Sequence, residues 1–438
     1  MSRTDKVYSA LLRRNADAES ELPDDVRADV PRNGLRLVGA QALQSTGDQT
    51  VNASTVLPWL LTALGAPAAL IGLLVPIRES LSMLPQAFLT PLIVRVRRRA
   101  RVFAAGAGVQ ALAVAAMALT AALGEGLPAG LVILVALAVF ALGRCLCSIA
   151  SKDVQGRTVP KGERGQINGL ATTAAGVVAI TLGLAIRVWG GDDLSATKLA
   201  WLLAAGAVLW VASAFVSLGV REPSSEARSE GSDRPGWWAQ TRDLLQHDRD
   251  LRRFVTVRSL LLVSALAPPF VVSLAVAAGS NGLAGLGGFV LASGLAALVG
   301  GRVFGRWADR SSRNVMSYGA AAASAVIVAL VAIVALPGFS GDGWAGNLVF
   351  IAGYFLLTLI HTGVRVGRKT YVVDMAEGDT RTTYVAVSNT AMGIILLIVG
   401  GISALIALAG ASWALLFLAA MGVVGVMASR GLPEVSRR

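Results

Sequence analysis

Cysteine and histidine are nearly missing from this chain. Two cysteines, Cys145 and Cys147, share one apolar run and two histidines, His247 and His361, lie far apart, so 438 residues offer neither a disulfide framework nor enough ligands for a Cys/His metal site. Charge is scarce too, at 15% of residues against roughly 25% in a soluble domain. There is no GxxxxGK[ST] loop to cradle a nucleotide phosphate and no GxSxG elbow to present a nucleophile. ATP-driven transport by this chain alone and hydrolase chemistry therefore lose their usual sequence support. No catalytic residue, metal or cofactor is expected.

What is present is apolar. A hydrophobic fraction of 54% and a mean hydropathy of +0.63 exceed what a soluble core of this size can hide. Apolar segments of about 20 residues suffice to cross a bilayer. They fall near 35–62, 67–93, 102–123, 128–150, 167–188 and 198–219, then near 254–279, 284–304, 315–337, 346–366, 384–408 and 411–429. The expectation is an all-α integral membrane protein with twelve transmembrane helices in two pseudo-symmetric six-helix halves. Its parts are an amino-terminal cytoplasmic segment (1–33), a first half (34–220), a linker (221–253), a second half (254–430) and a short tail (431–438). The start lacks the apolar core and cleavage site of a signal peptide, so the first span is expected to anchor the chain. The linker carries Trp237 and Trp238 in a segment, 235–250, that suits an interfacial helix.

Basic residues crowd alternate loops: the amino terminus, 95–101, 152–164, 221–253, 302–313, 365–381 and the carboxyl terminus. The other loops hold little beyond Arg187 and Lys198. By the positive-inside rule both termini are cytoplasmic, and the net charge of +12 reads as a topology signal with an attraction to anionic lipid, not as nucleic-acid binding. Abundant Arg and Ala beside scarce Lys suggest a high-GC bacterium and hence its plasma (inner) membrane.

The polar residues inside the spans carry the chemistry. Gln41, Ser45, Asp48, Asn52 and Thr55 recur at i, i+4, i+7, i+11 and i+14, one face of a helix. A carboxylate at that depth is too costly to face lipid, so this face is expected to line a polar cavity. In the second span Arg78 and Glu79 reach a similar depth, and Asp48 is expected to pair with Arg78. Glu79, Ser82 and Gln86 form a second polar face. A carboxylate that loses its cationic partner in a low-dielectric cavity takes up a proton more readily, which makes Asp48, and Glu79 after it, the proton-coupling candidates. The substrate-binding candidates on this reading are Gln41, Ser45, Asp48, Asn52 and Arg78. In span seven, Pro268 and Pro269 are expected to break the helix opposite Asp48. Glycines of span eight (Gly287, Gly294, Gly300) and span eleven (Gly393, Gly400, Gly401) permit close helix packing.

The stretch between spans four and five, Ser151 to Gly165, parallels that between spans ten and eleven, Arg368 to Thr382. Such a repeat is the mark of transporters that rock about a central site. With Gly305-Arg-Trp-Ala-Asp309-Arg310-Ser-Ser-Arg313, which matches G-x-x-x-D-R-x-G-[RK] except at Ser312, the chain resembles the major facilitator superfamily over residues 34–430. That resemblance implies a conformational latch at Gly305, Asp309, Arg310 and Arg313. It also implies that Arg144 corresponds to an arginine used for substrate or protons in many members. The first half departs from the pattern, with Arg95 where the aspartate belongs, and span five lacks a glycine-proline signature. The function expected is secondary transport of a small organic solute by alternating access, proton-coupled, by a monomer in the lipid bilayer. Export leads; uptake of an anionic metabolite, lipid flipping and a non-transporting sensor or scaffold are the alternatives.

Overall fold

In a computed structural model the chain is described at residues 3–11, 14, 19, 24–86, 89, 93, 96–160, 164–189, 195–222, 242–243, 246–280, 283–375 and 380–435, with some side chains left aside within these ranges. All fifteen described elements are helices. They are α1 (Arg3–Leu11), α2 (Asp24–Thr50), α3 (Val56–Ala63), α4 (Ala68–Met83), α5 (Arg99–Leu123), α6 (Gly126–Thr158), α7 (Arg164–Trp189) and α8 (Ala196–Leu218). The second group is α9 (Arg249–Leu260), α10 (Val263–Ala277), α11 (Leu283–Arg310), α12 (Ser312–Val334), α13 (Trp344–Met375), α14 (Thr380–Ala407) and α15 (Ala411–Ser429).

Every segment read as a span contains a helix, and eight described stretches are long and apolar enough to cross a membrane. Their outward faces hold large apolar side chains: Leu112 and Leu123 on α5 are 74% and 78% exposed, and Trp201 and Phe215 on α8 are similar. Only lipid makes such a surface tolerable. The segments of α2–α3 and α4 are not among the eight. They carry the polar stripe, Arg78 and Glu79, and these groups dilute the apolar signal that lipid-facing helices keep.

The first span departs from the expected 35–62. Its helix begins at Asp24, takes in Pro31, stops at Thr50 and resumes at Val56. Asn52 accounts for the stop: its Oδ1 accepts from the Ser54 N–H at 2.8 Å, and its carbonyl accepts from Thr55 and Leu57 at 3.3 and 3.0 Å. The side chain thus replaces helical partners with a local turn. Helix α3 ends where Gly65 adopts a left-handed φ of +69° and Ala66 N–H reaches back to the Leu61 carbonyl at 2.9 Å.

The seventh segment breaks too, but not at the prolines. Leu261 and Leu262 separate α9 from α10, and Pro268 and Pro269 lie inside α10. Ala265 N–H bonds to the Leu262 carbonyl at 2.9 Å, a tightened turn that opens α10 ahead of the prolines. Helix α9 also starts inside the expected linker, where Asp248 caps it by accepting from Asp250 and Leu251 N–H at 3.0 and 2.9 Å. Trp237, Trp238 and most of the expected interfacial helix lie outside the described residues.

The two groups of helices meet through α7 against α11, and α4 against α14 and α10. Small residues make these contacts possible. A Cβ on Gly183 would lie 2.7 Å from Leu291 N and 2.8 Å from the Gly287 carbonyl; one on Gly72 would lie 2.9 Å from Ala404 Cα. Trp59 and Phe289, 6.0 Å apart between ring centroids, join α3 to α11. Helices α6 and α13 do not pack closely on each other.

Candidate functional site

Three helices of the first group converge on Asp48. It stands two residues before the end of α2, and both carboxylate oxygens are engaged. Arg78 Nη2 on α4 donates to Oδ1 at 3.2 Å, and Arg144 Nη1 on α6 donates to Oδ2 in a very short contact. The Asp48 and Arg78 side chains keep 15% and 12% of their accessible surface and Arg144 keeps 34%, so water reaches the pair from the Arg144 side. Arg78 Nε is buried without a hydrogen-bond partner. One carboxylate thus answers two guanidinium ions, and the cluster keeps one positive charge.

The rest of the stripe divides. Asn52 makes the turn between α2 and α3, the Thr55 hydroxyl is buried without a partner, and Ser45 is half-buried. Gln41 lines a small apolar cavity with Phe103 and Val154. On α4, Ser82 Oγ–H donates to the Glu79 carbonyl and Gln86 Nε2–H to the Ser82 carbonyl, both at 2.8 Å. The Glu79 carboxylate takes part in no hydrogen bond or ion pair among the described residues, and it lies within electrostatic reach of Arg144, Arg365 and Arg368.

Sequence reasoning missed the opposing wall. Arg258 on α9 points inward: it is 9% exposed and its Nη2 donates to Asn389 Oδ1 on α14 at 3.2 Å. Arg368 on α13 stands within reach of both Arg258 and Arg365, and Arg365 is exposed although it reaches Glu79 and Arg144 across the gap. Arg365 thus stands open to solvent between α6 and α13, which do not pack closely on each other. His361 Nδ1 and Ser264 Oγ, 3.3 Å apart, tie α13 to α10 beside it. The signal was legible: His361, Arg365 and Arg368 follow the same i, i+4, i+7 spacing as the first-span stripe.

Of the expected latch, the surroundings of Gly305 and the side chains of Asp309 and Arg310 lie outside what is described. Arg313 Nη1–H donates to the Leu432 carbonyl at 3.0 Å, and its Nε lies 3.8 Å from Glu434 Oε2. Ser311, the cap of α12, donates its hydroxyl to the same Glu434 at 2.5 Å. In the first group, where the sequence has Arg95 at the aspartate's place, other acids meet the arginines. Asp153 Oδ2 pairs with Arg99 at 2.9 Å and Arg157 at 3.1 Å, and Glu222 accepts from the Arg99 and Ala100 N–H groups at 2.9 and 2.6 Å. Glu222 follows α8 and caps α5; Glu434 follows α15 and meets the start of α12. Each of these acids follows the last helix of its group and meets the start of another helix in that group.

Solved structures share this architecture. A mutant form of the nucleoside transporter NupG is 12% identical with a TM-score of 0.68, covering 91% of this chain and 99% of its own. The D-xylose-proton symporter is 11% identical with a TM-score of 0.68, covering 92% and 98%. A mutant of the peptide transporter POT is 11% identical with a TM-score of 0.67, covering 100% and 99%. These likenesses concern the fold. No curated protein sequence matches the chain. The model of the Major Facilitator Superfamily matches residues 37–345, most of the chain. The chain belongs to that superfamily of membrane transporters, and it is not an enzyme.

Proposed function

We propose that this protein is a twelve-span secondary transporter whose six-helix halves, 34–220 and 254–430, rock about a central cleft and couple the movement of a small organic solute to protons. The linker 221–253 joins the halves on the cytoplasmic side of a bacterial inner membrane, with both termini on that side. The observation that carries the reading is Asp48 shared between Arg78 and Arg144, with Arg144 about a third exposed. A carboxylate placed so can trade an arginine for a proton when the helices move, and the arginine so freed is available to the solute. Glu79, unpaired and facing the arginines of the other half, is the second carboxylate suited to this exchange.

The groups facing Asp48 from the packed helices are Arg78 and Arg144, with Glu79 and Arg365 beyond. Rocking needs surfaces that separate cleanly, and the small residues of α4, α7, α11 and α14 supply them. The latch residues Gly305, Asp309, Arg310 and Arg313, with Glu434, would then favour one access state. The test is solute flux in proteoliposomes under an imposed pH gradient. Accumulation on the acidic side means export by antiport, and accumulation on the alkaline side means symport. Flux that ignores the gradient in both orientations would exclude proton coupling.

A further inference from the structure

Buried cations in a membrane protein need partners. Moving a guanidinium from water to an apolar interior is costly unless a carboxylate or a set of acceptors meets it. The first half satisfies this rule at Asp48. The second half does not: Arg258 has only the neutral Asn389, its Nε is buried without a partner, and Arg368 Nε is likewise buried and unpaired. Neither Arg258, Arg365 nor Arg368 forms an ion pair among the described residues. Counted together, the five arginines Arg78, Arg144, Arg258, Arg365 and Arg368 stand against the two carboxylates Asp48 and Glu79, an excess of three positive charges.

The arrangement is also directional. Arg258 comes from α9, steered by Asn389 of α14, while Arg365 and Arg368, one turn apart on α13, come from the other side. Guanidinium groups on separate elements present planar donor forks that match a carboxylate or phosphate, which a single lysine-like point charge does not. A cluster with an excess of positive charge raises the local concentration of such a solute.

We infer that the solute carries a carboxylate or phosphate group, and that Arg258, Arg365 and Arg368, with Asn389, form its anion subsite. This rests on the transport function proposed above and names its substrate class. The anion supplies the acceptor that the second half lacks. Asp48 holds Arg78 and Arg144 in check until the helices move.

The test is thermal stability of the detergent-purified full chain at constant ionic strength, titrated with inorganic phosphate, succinate, xylose, choline or mixed micelles containing phosphatidylglycerol. The expected result is saturable stabilisation by phosphate or succinate, with none from xylose or choline. Stabilisation by phosphatidylglycerol alone supports the same subsite with a lipid headgroup as its anion. R365Q and R368Q should each weaken binding about tenfold or more, the scale of one lost charge-assisted hydrogen bond, and R368K should recover part of it. N389D, which places a carboxylate beside Arg258 without removing an arginine, should weaken the anion as well. No response to any anion, stabilisation by xylose or choline instead, or an unchanged response in R365Q, R368Q and N389D would overturn the proposal. Gradient-driven flux of a neutral or cationic solute would overturn the anion subsite and leave the transport reading intact. Saturable anion binding in a protein that moves nothing across a bilayer would do the reverse.

Discussion

Asp48 is the residue on which the site depends, because both of its oxygens are committed to arginines from different helices. Removing one member of a buried ion pair leaves an uncompensated charge and costs about 3–5 kcal/mol. Water at Arg144 reduces that figure here, since exposed pairs contribute about 1 kcal/mol or less. R78Q, at the better-desolvated partner, should therefore lower the thermal midpoint more than R144Q; equal losses would contradict this ranking. Much of this chemistry was legible in the sequence, since a stripe at helical spacing led to Asp48 and depth counting led to Arg78. Arg258 was not legible there, because distance from the helix start says nothing of which way a side chain turns. That depends on Asn389, 131 positions away, and no local pattern shows such a partner.

At the level of elements, close approach and capping decide the behaviour. Gly183 lies where α7 meets the backbone of α11, and backbone atoms cannot move aside for a side chain. G183L should force these helices apart and populate the state in which that face is open. Labelling of L291C by a membrane-impermeant thiol reagent measures this, with faster labelling in the G183L background expected and an unchanged rate counting against it. Glu222 satisfies two backbone N–H groups at the start of α5, so E222A should cost about 1–2 kcal/mol, as for other lost caps. A thermal midpoint within error of wild type would contradict it. The extents of the apolar helices were readable from hydropathy because lipid enforces them. The breaks were not. The double proline suggested one at 268–269, whereas the chain tightens at Leu261–Leu262 and carries the prolines within α10. The stop at Thr50 came from a local Asn52 turn that periodicity alone does not register.

For the whole molecule, the transport we propose needs a cluster of excess cations, a carboxylate that alternates between arginine and proton, and interfaces of small residues along which two helical groups separate. Family membership follows from the sequence match over residues 37–345, while the proposed proton coupling rests on Asp48. The most direct test is solute accumulation in proteoliposomes by wild type and D48N, under an imposed pH gradient and as gradient-free exchange. Wild type should accumulate solute with the gradient. D48N should lose accumulation, while any exchange that persists should no longer depend on pH. D48N that accumulates solute as wild type does, with the same pH dependence, would contradict the central role of Asp48.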